Sequence, residues 1–344
     1  MAYTTINKSS DYFNTKLYTG NFTDNTDITG VGFQPDLVWL KERSSGSSHL
    51  LQNAVRGANK DLFSDTSSAE ESNTNRMKAF ISDGFTLGAH NLSNQNGETY
   101  ASWNWKANGA GSANTAGSIS STVSANTTAG FSIVTFTGNE TVDSTVGHGL
   151  GAIPKMIIVK GTSFSAPWIV YHHSIGNSNY LRLNTTDAEA TANGMWSNTT
   201  PTNSVFTLGT DSWGNNNGQS LIAYCFAEKQ GYSKFGSYKG NGNANGAFVY
   251  TGFSPAFFML KRTDGTNSWR MWDNKRDPFN VRDTSINANE NDAEYTDASV
   301  YMDFVSNGVK FRTTGDNVSG GNYIYMAFAE APLVGTNGVT AKAR

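Results

Sequence analysis

The feature of this 344-residue chain that most restricts its fold is an internal repeat. One pattern, consisting of a proline, a variable residue, four apolar residues and a lysine, occurs at residues 35–41, 154–160 and 255–261. Each copy closes on an aromatic-rich run, and the last aromatic residues of these runs lie 70, 72 and 73 residues after the three prolines. Self-similarity at a fixed period indicates one structural unit copied in tandem. We therefore expect three copies of one fold, each of about 100 residues.

The residues within each copy favour β-strands. Runs of four to eight residues are rich in Val, Ile, Thr and aromatic residues, and Gly, Asn and Asp separate them. Four consecutive apolar residues suit a central strand that is buried on both faces. The sequence thus predicts an all-β fold of three tandem β-sandwich repeats of the jelly-roll or lectin-like kind. One short helix is expected at residues 69–80.

The repeat also predicts the domain boundaries. We expect sandwich repeats at residues 1–107, 131–230 and 231–334, followed by a polar tail at residues 335–344. Residues 108–130 are mostly Gly, Ser, Ala, Thr and Asn. This composition is typical of a flexible linker, but the β-branched residues within it also suit an edge strand, and the sequence leaves both open.

Composition argues against several classes of protein. Twenty-five basic and 28 acidic residues give a net charge of −3, which offers no electrostatic case for binding nucleic acid. No run approaches the roughly 18 apolar residues of a membrane-spanning helix. The first residues lack the basic and apolar regions of a signal peptide, so we expect a protein made without an export signal. Cys225 is the only cysteine and is expected to be buried.

Signatures of catalysis and of metal binding are missing from the sequence. No nucleophile elbow, phosphate loop, dinucleotide fingerprint or zinc-protease motif is present. His172 and His173 are adjacent and are expected on opposite faces of a strand, which disfavours a shared metal. Residues 289–294 with Asp297 are acidic and are expected to form a surface turn, although the sequence leaves Ca²⁺ binding open. We expect no enzyme activity, no cofactor and no metal.

Ligand binding is the better expectation, and two tryptophans are its candidates. Trp196 and Trp213 lie in polar stretches that the sequence predicts to be loops. Exposed aromatic rings in loops on a rigid scaffold can stack on sugars. Trp39 lies inside an apolar run, and Trp168 and Trp269 recur at a matched repeat position, so these three are expected in the core.

Several stretches resemble repeat-built proteins encoded by tailed bacteriophages, especially marine ones. The similar stretches cover nearly the whole chain, and the third copy diverges most, above all in its middle. They lie at residues 1–20, 30–41, 55–57, 82–88, 100–108, 118–138 and 147–160. The resemblance implies a virion component of the tail-fibre or tail-associated kind, built from lectin-like sandwich units. It implies no catalytic residue.

Three hypotheses follow from the residues and the resemblance together. The leading one is a tail-fibre or tail-tip adhesin that binds a host surface glycan or protein, because repeated sites gain avidity. We expect it to be a homotrimer that contacts other virion proteins, and to be assembled in the bacterial cytoplasm and reside in the virion. The second hypothesis is a capsid decoration or tail accessory protein with a purely structural role. The third is a polysaccharide depolymerase, which requires paired carboxylates that this chain does not suggest.

Overall fold

The structure is a computed structural model that describes residues 3–340. Within these residues the chain forms 28 β-strands, three α-helices of four residues each and one 3-10 helix (Ser9–Asp11). The prediction of an all-β fold is confirmed. The first, second and third units named below are residues 3–107, 108–230 and 231–334.

The strands of the first unit are β1 (Phe13–Thr19), β2 (Thr26–Thr29), β3 (Leu37–Glu42), β4 (Leu50–Asn53), β5 (Gly57–Leu62), β6 (Glu71–Ser72), β7 (Met77–Ile81), β8 (Gly84–Leu87) and β9 (Thr99–Trp105). Those of the second are β10 (Ser112–Asn114), β11 (Ser121–Asn126), β12 (Phe131–Thr137), β13 (Ser144–Gly147), β14 (Met156–Gly161), β15 (Ile169–His172), β16 (Asn179–Arg182), β17 (Ala190–Thr191), β18 (Val205–Leu208) and β19 (Ser220–Phe226). Those of the third are β20 (Ser233–Lys239), β21 (Phe248–Tyr250), β22 (Phe253–Arg262), β23 (Arg270–Asp273), β24 (Thr284–Asn287), β25 (Tyr295–Thr296), β26 (Met302–Val305), β27 (Gly308–Phe311) and β28 (Asn322–Pro332). The helices are α1 (Asn91–Asn94), α2 (Asn193–Trp196) and α3 (Ser212–Asn215).

Each unit has one large and one small antiparallel sheet. The large sheet of the first unit has the order β1-β9-β3-β4-β5-β6, and that of the third has β20-β28-β22-β23-β24-β25. In the second unit the order β12-β19-β14-β15-β16-β17 is extended at one edge by β11 and β10. The small sheets are β2-β8-β7, β13-β18 and β21-β27-β26. In all three large sheets the closing aromatic strand therefore pairs with the opening strand on one side and the Pro-to-Lys strand on the other.

The four apolar residues of each Pro-to-Lys strand divide between two cores. In β14, Met156 and Ile158 belong to a central cluster, whereas Ile157 and Val159 belong to a cluster within the second unit. Alternate residues of a strand point to opposite faces, so a strand covered on both faces needs apolar residues at consecutive positions. Strands β3 and β22 divide their side chains in the same way.

The central cluster joins the three units. It contains residues of all three large sheets, while one peripheral cluster lies inside each unit. Phe328 of the third unit stacks on Phe13 of the first, with ring centroids 4.9 Å apart, and lies 6.1 Å from Phe226 of the second. The three large sheets thus share one aromatic core.

The hydrogen bonds of the repeated lysines join the units in one cyclic order. The repeated lysines are fully buried, and each ammonium donates to a backbone carbonyl of another unit. These bonds are Lys41 to Asn291 (3.3 Å), Lys160 to Ser67 (3.3 Å) and Lys261 to Thr186 (2.9 Å). The first unit therefore contacts the third, the second contacts the first, and the third contacts the second.

The position eight residues after each lysine repeats this order. Trp168 Nε1 donates to Phe63 O at 2.8 Å, and Trp269 Nε1 donates to Arg182 O at 2.9 Å. The matching residue of the first unit is His49, whose Nδ1 accepts from Trp39. Its Nε2 consequently carries the proton and donates to Asn287 O at 3.0 Å. The first unit thus has a histidine where the other two have a tryptophan, and in all three units this position donates a ring N–H to a backbone carbonyl of another unit.

Three local outcomes complete the fold. The prediction of a helix at residues 69–80 is wrong, because this stretch contains β6 and β7. Strand β7 forms a hairpin with β8 through a two-residue connection, and this hairpin buries Met77. Residues 108–130 contain β10 and β11, which pair along the edge of the second large sheet. In the predicted tail, Thr336 hydrogen-bonds Asn7, and residues 341–344 lie outside the described residues.

Within residues 3–340, none of the helices has the length and apolar character that crossing a membrane requires.

Candidate functional site

Trp196 lies in the core of the second unit. It ends helix α2, is 2% exposed and makes an edge contact with Tyr171, with ring centroids 5.8 Å apart. The prediction of an exposed loop at Trp196 is wrong, because Met195 and Trp196 together fill the space between β15 and the small sheet. A ring buried in this way has no free face for a sugar.

Trp213 lies in helix α3 and is half-buried. It packs on the edge of the same apolar cluster as Trp196. The guanidinium carbon of Arg182 lies 5.9 Å from its ring centroid, and Tyr180 contacts it edge-on at 6.4 Å. Both tryptophans therefore contribute to one cluster, and Trp213 keeps only part of its surface for a ligand.

The histidines and the acidic run have structural partners. His172 and His173 do not point to opposite faces as expected, since His173 lies beyond the end of β15 and the two ring centroids are 5.1 Å apart. Each Nε2 contacts a backbone carbonyl, of Tyr325 and Phe235 respectively. In the acidic run, Glu294 pairs with Arg43 of the first unit at 2.7 Å. Among residues 3–340, no group of three or more His, Cys, Asp or Glu side chains could hold a metal ion.

A cavity of about 650 Å³ in the third unit is the best candidate site. It lies between the connection that follows β23 and the end of β26. The equivalent connection in the first unit joins β4 to β5 and consists of residues 54–56, and that in the second joins β15 to β16 and consists of residues 173–178. In the third unit it joins β23 to β24 and consists of residues 274–283, which makes it the longest of the three. The extra residues form one wall of the cavity.

Hydrogen bonds hold this wall firmly. Asn280 Nδ2 donates to Phe304 O at 2.8 Å, and Asn280 Oδ1 accepts from Phe304 N at 3.0 Å. The backbone of Arg282 exchanges two hydrogen bonds with Met302, at 2.7 and 3.1 Å. At its start, the Asp273 carboxylate accepts from the Arg276 guanidinium at 2.6 Å. The connection thus adds to the small sheet beside β26 and forms an ordered wall.

Arg282 is the unusual group in this cavity. Its side chain lines the cavity although the residue is only 6% exposed, and its guanidinium carbon lies 4.4 Å from the centroid of the Phe304 ring. Its Nε and Nη1 have no hydrogen-bond acceptor within the described part of the chain. Burial lowers the pKa of the guanidinium, while the carboxylates of Asp277, Asp273, Glu330 and Asp303 act against that shift.

The rim of the cavity carries an exposed aromatic ring. Phe279 is 77% exposed, the largest exposed fraction among the large apolar residues described. Lys275 and Glu330 also line the cavity, as does Asn274, whose Oδ1 is buried without a donor in residues 3–340. The sequence predictions missed this site. Its one sequence signal is the divergence of the third copy in its middle, which coincides with the long connection.

Comparison with protein-family models identifies the family of the chain. A family model described as a domain of unknown function (DUF7483) matches residues 8–332. No curated protein and no solved structure matches the chain.

Proposed function

The chain belongs to the DUF7483 family, and we propose that it is a structural protein of a tailed-phage virion that binds a host surface glycan through the third-unit cavity. In this proposal it is a tail-fibre or tail-tip adhesin, and its three units are tandem lectin-like β-sandwiches. The virion assignment is supported by the resemblance to phage repeat proteins described above. The cavity carries the assignment to ligand binding.

The cavity suits a small polar ligand. Its volume lies within the roughly 300–1,000 Å³ of typical ligand sites. Phe279 offers a ring face, and amide and charged groups lie beside it, the combination by which proteins commonly hold sugars. The ordered wall places these groups on a rigid scaffold, so little conformational entropy is lost on binding.

The pairing of large and small sheets supports the sandwich description. In each unit an apolar cluster lies between the two sheets, as in β-sandwiches. The central cluster then joins three sandwiches within one chain. The homotrimer remains a separate proposal, and light scattering of the purified chain tests it by measuring whether the particle has three times the mass of one chain.

One observation favours the alternative of a decoration or tail accessory protein. Strand β21 lies at the edge of its small sheet, and its Phe248 and Tyr250 are 48% and 52% exposed. An exposed apolar edge strand is a surface on which another protein can dock. In this alternative the chain connects virion proteins and binds no glycan.

Binding to host cells tests the proposal. Fluorescently labelled chain is incubated with host bacteria, and binding is compared among wild type, Phe279→Ala and the matched control Phe22→Ala, which removes an exposed aromatic ring from the first unit. Loss of one stacking contact of about 1.4 kcal/mol weakens binding about tenfold. We expect this loss for Phe279→Ala alone. Equal binding by both variants and wild type contradicts the proposed site, and a wild-type chain that does not bind the cells is the result expected from the docking alternative.

A further inference from the structure

We infer that the third-unit cavity selects an acidic sugar, whose carboxylate contacts Arg282 and whose ring face packs on Phe279. This inference rests on the proposed glycan binding and names its substrate class. No other group described above supplies the same features.

Arg282 provides the first argument. A buried donor without an acceptor has lost its hydrogen bonds to water and gained none in return, and this loss is larger when the donor is charged. Two nitrogens of this nine-tenths buried guanidinium are in that state, and the side chain lines an open cavity. A carboxylate supplies a charge-assisted acceptor, which is the partner that arginine binds best.

The neighbouring carboxylates do not remove this preference. Asp273 is paired with Arg276, and Asp303 accepts from Arg312 at 2.6 Å. Asp277 accepts the backbone N–H of Asp283 at 3.0 Å. All three stand close enough to influence Arg282, yet none forms a hydrogen bond with its Nε or Nη1.

The charges on the cavity wall point the same way. Lys275 and Arg282 are cationic and Glu330 is anionic, which leaves one net positive charge among the lining residues. A ligand with one carboxylate would balance this charge. Glu330 also lies near Ser254, 3.4 Å from its hydroxyl.

Asn274 explains why the anion should be part of a sugar. Its buried Oδ1 lacks a donor, so the cavity contains an unpartnered acceptor as well as unpartnered donors. A simple anion satisfies Arg282 and leaves Asn274 Oδ1 without a partner. A uronic acid satisfies both, because its carboxylate accepts and its hydroxyls donate. The exposed Phe279 ring supplies an apolar surface for the C–H face of the sugar.

Paired methyl glycosides test the inference on the full chain. Chemical-shift titrations use the methyl glycosides of glucuronic, galacturonic and mannuronic acid, each against the neutral sugar with a hydroxymethyl group in place of the carboxylate. We expect at least one uronide to bind at least tenfold more tightly than its neutral partner. Arg282→Gln should abolish that preference, and Arg282→Lys should restore part of it. Lys239→Gln removes an exposed lysine of the same unit and should change nothing.

The outcomes separate this inference from the proposed function. If wild type binds neutral and acidic sugars equally, and Phe279→Ala still weakens cell binding about tenfold, the acidic substrate class is wrong and the glycan adhesin stands. If wild type binds no sugar and no cells, the proposed function itself fails. Should Arg282→Gln not fold, the preference of the wild-type chain for uronides over neutral sugars decides the question alone.

Discussion

Raising the pH from 7.5 to 9.0 should make the folded chain more stable, because three lysines are buried between its units. Burial lowers the pKa of Lys41, Lys160 and Lys261 to about 8. The unfolded chain holds lysine near its ordinary pKa of about 10.4. Between these values the unfolded state binds more protons than the folded state, so the free energy of unfolding rises with pH.

The size of the effect follows from the two pKa values. Below pH 7.5 both states are protonated, and the cost of burying the charge is fully present. From pH 7.5 to 9.0 each lysine adds about 1.2 kcal/mol to the free energy of unfolding, and the three together add about 3.6 kcal/mol. The buried Cys225 thiol, whose pKa is raised, opposes this trend by about 0.8 kcal/mol over the same window, because an unfolded thiol titrates near pH 8.5. Buried tyrosines such as Tyr171, whose pKa is raised to about 12, oppose it mainly as the pH approaches 10.

Urea unfolding at several pH values measures this trend. The variant Lys160→Met removes one ammonium and keeps a side chain of similar length, so it should lose about one third of the pH dependence whatever its own stability. Lys239→Met changes an exposed lysine and should keep the full slope. A stability that is flat or falls over this window, or a Lys160→Met variant with the wild-type slope, would refute the reasoning.

Three further predictions concern buried groups. Trp196→Ala should destabilise the chain by about 3–5 kcal/mol in urea unfolding and leave glycan binding by the folded protein unchanged, whereas reduced binding would return Trp196 to the site. Asn53 Nδ2 donates to Tyr224 Oη across two units at 3.0 Å, and a double-mutant cycle with Asn53→Ala and Tyr224→Phe should give a coupling of about 1 kcal/mol; zero coupling contradicts this contact. Cys225 is fully buried with a raised thiol pKa, so a thiol reagent at pH 8 should label it only after unfolding, and rapid labelling of the native chain would contradict its burial.

The strands were predictable where local pattern and tertiary position agree. The four apolar residues before Lys160 indicated a strand covered on both faces, and β14 has one face on each of two cores. The proline of the third copy, Pro255, lies at a bulge in β22, where a missing ladder donor is tolerated. Local composition failed at residues 69–80, because polar residues that permit a helix were overridden by the hairpin that buries Met77.

The site was not predictable because it depends on contacts distant in sequence. Trp196 has polar neighbours along the chain, and its burial comes from Tyr171, 25 residues earlier, and from the small sheet. Arg282 is an ordinary surface residue by sequence, and only the packing of Phe304 and the bonds to Met302 bury it. The cyclic order of these lysine and tryptophan bonds between units likewise involves residues 75 to 250 positions apart.

Immunogold electron microscopy of whole virions, with an antibody against this chain, is the most direct measurement of its proposed role. An adhesin predicts gold at the distal end of the tail, and the label should persist on particles that carry Phe279→Ala while their attachment to host cells falls. Gold over the head contradicts the adhesin and supports the decoration alternative. Virions without gold contradict the assignment to the particle altogether.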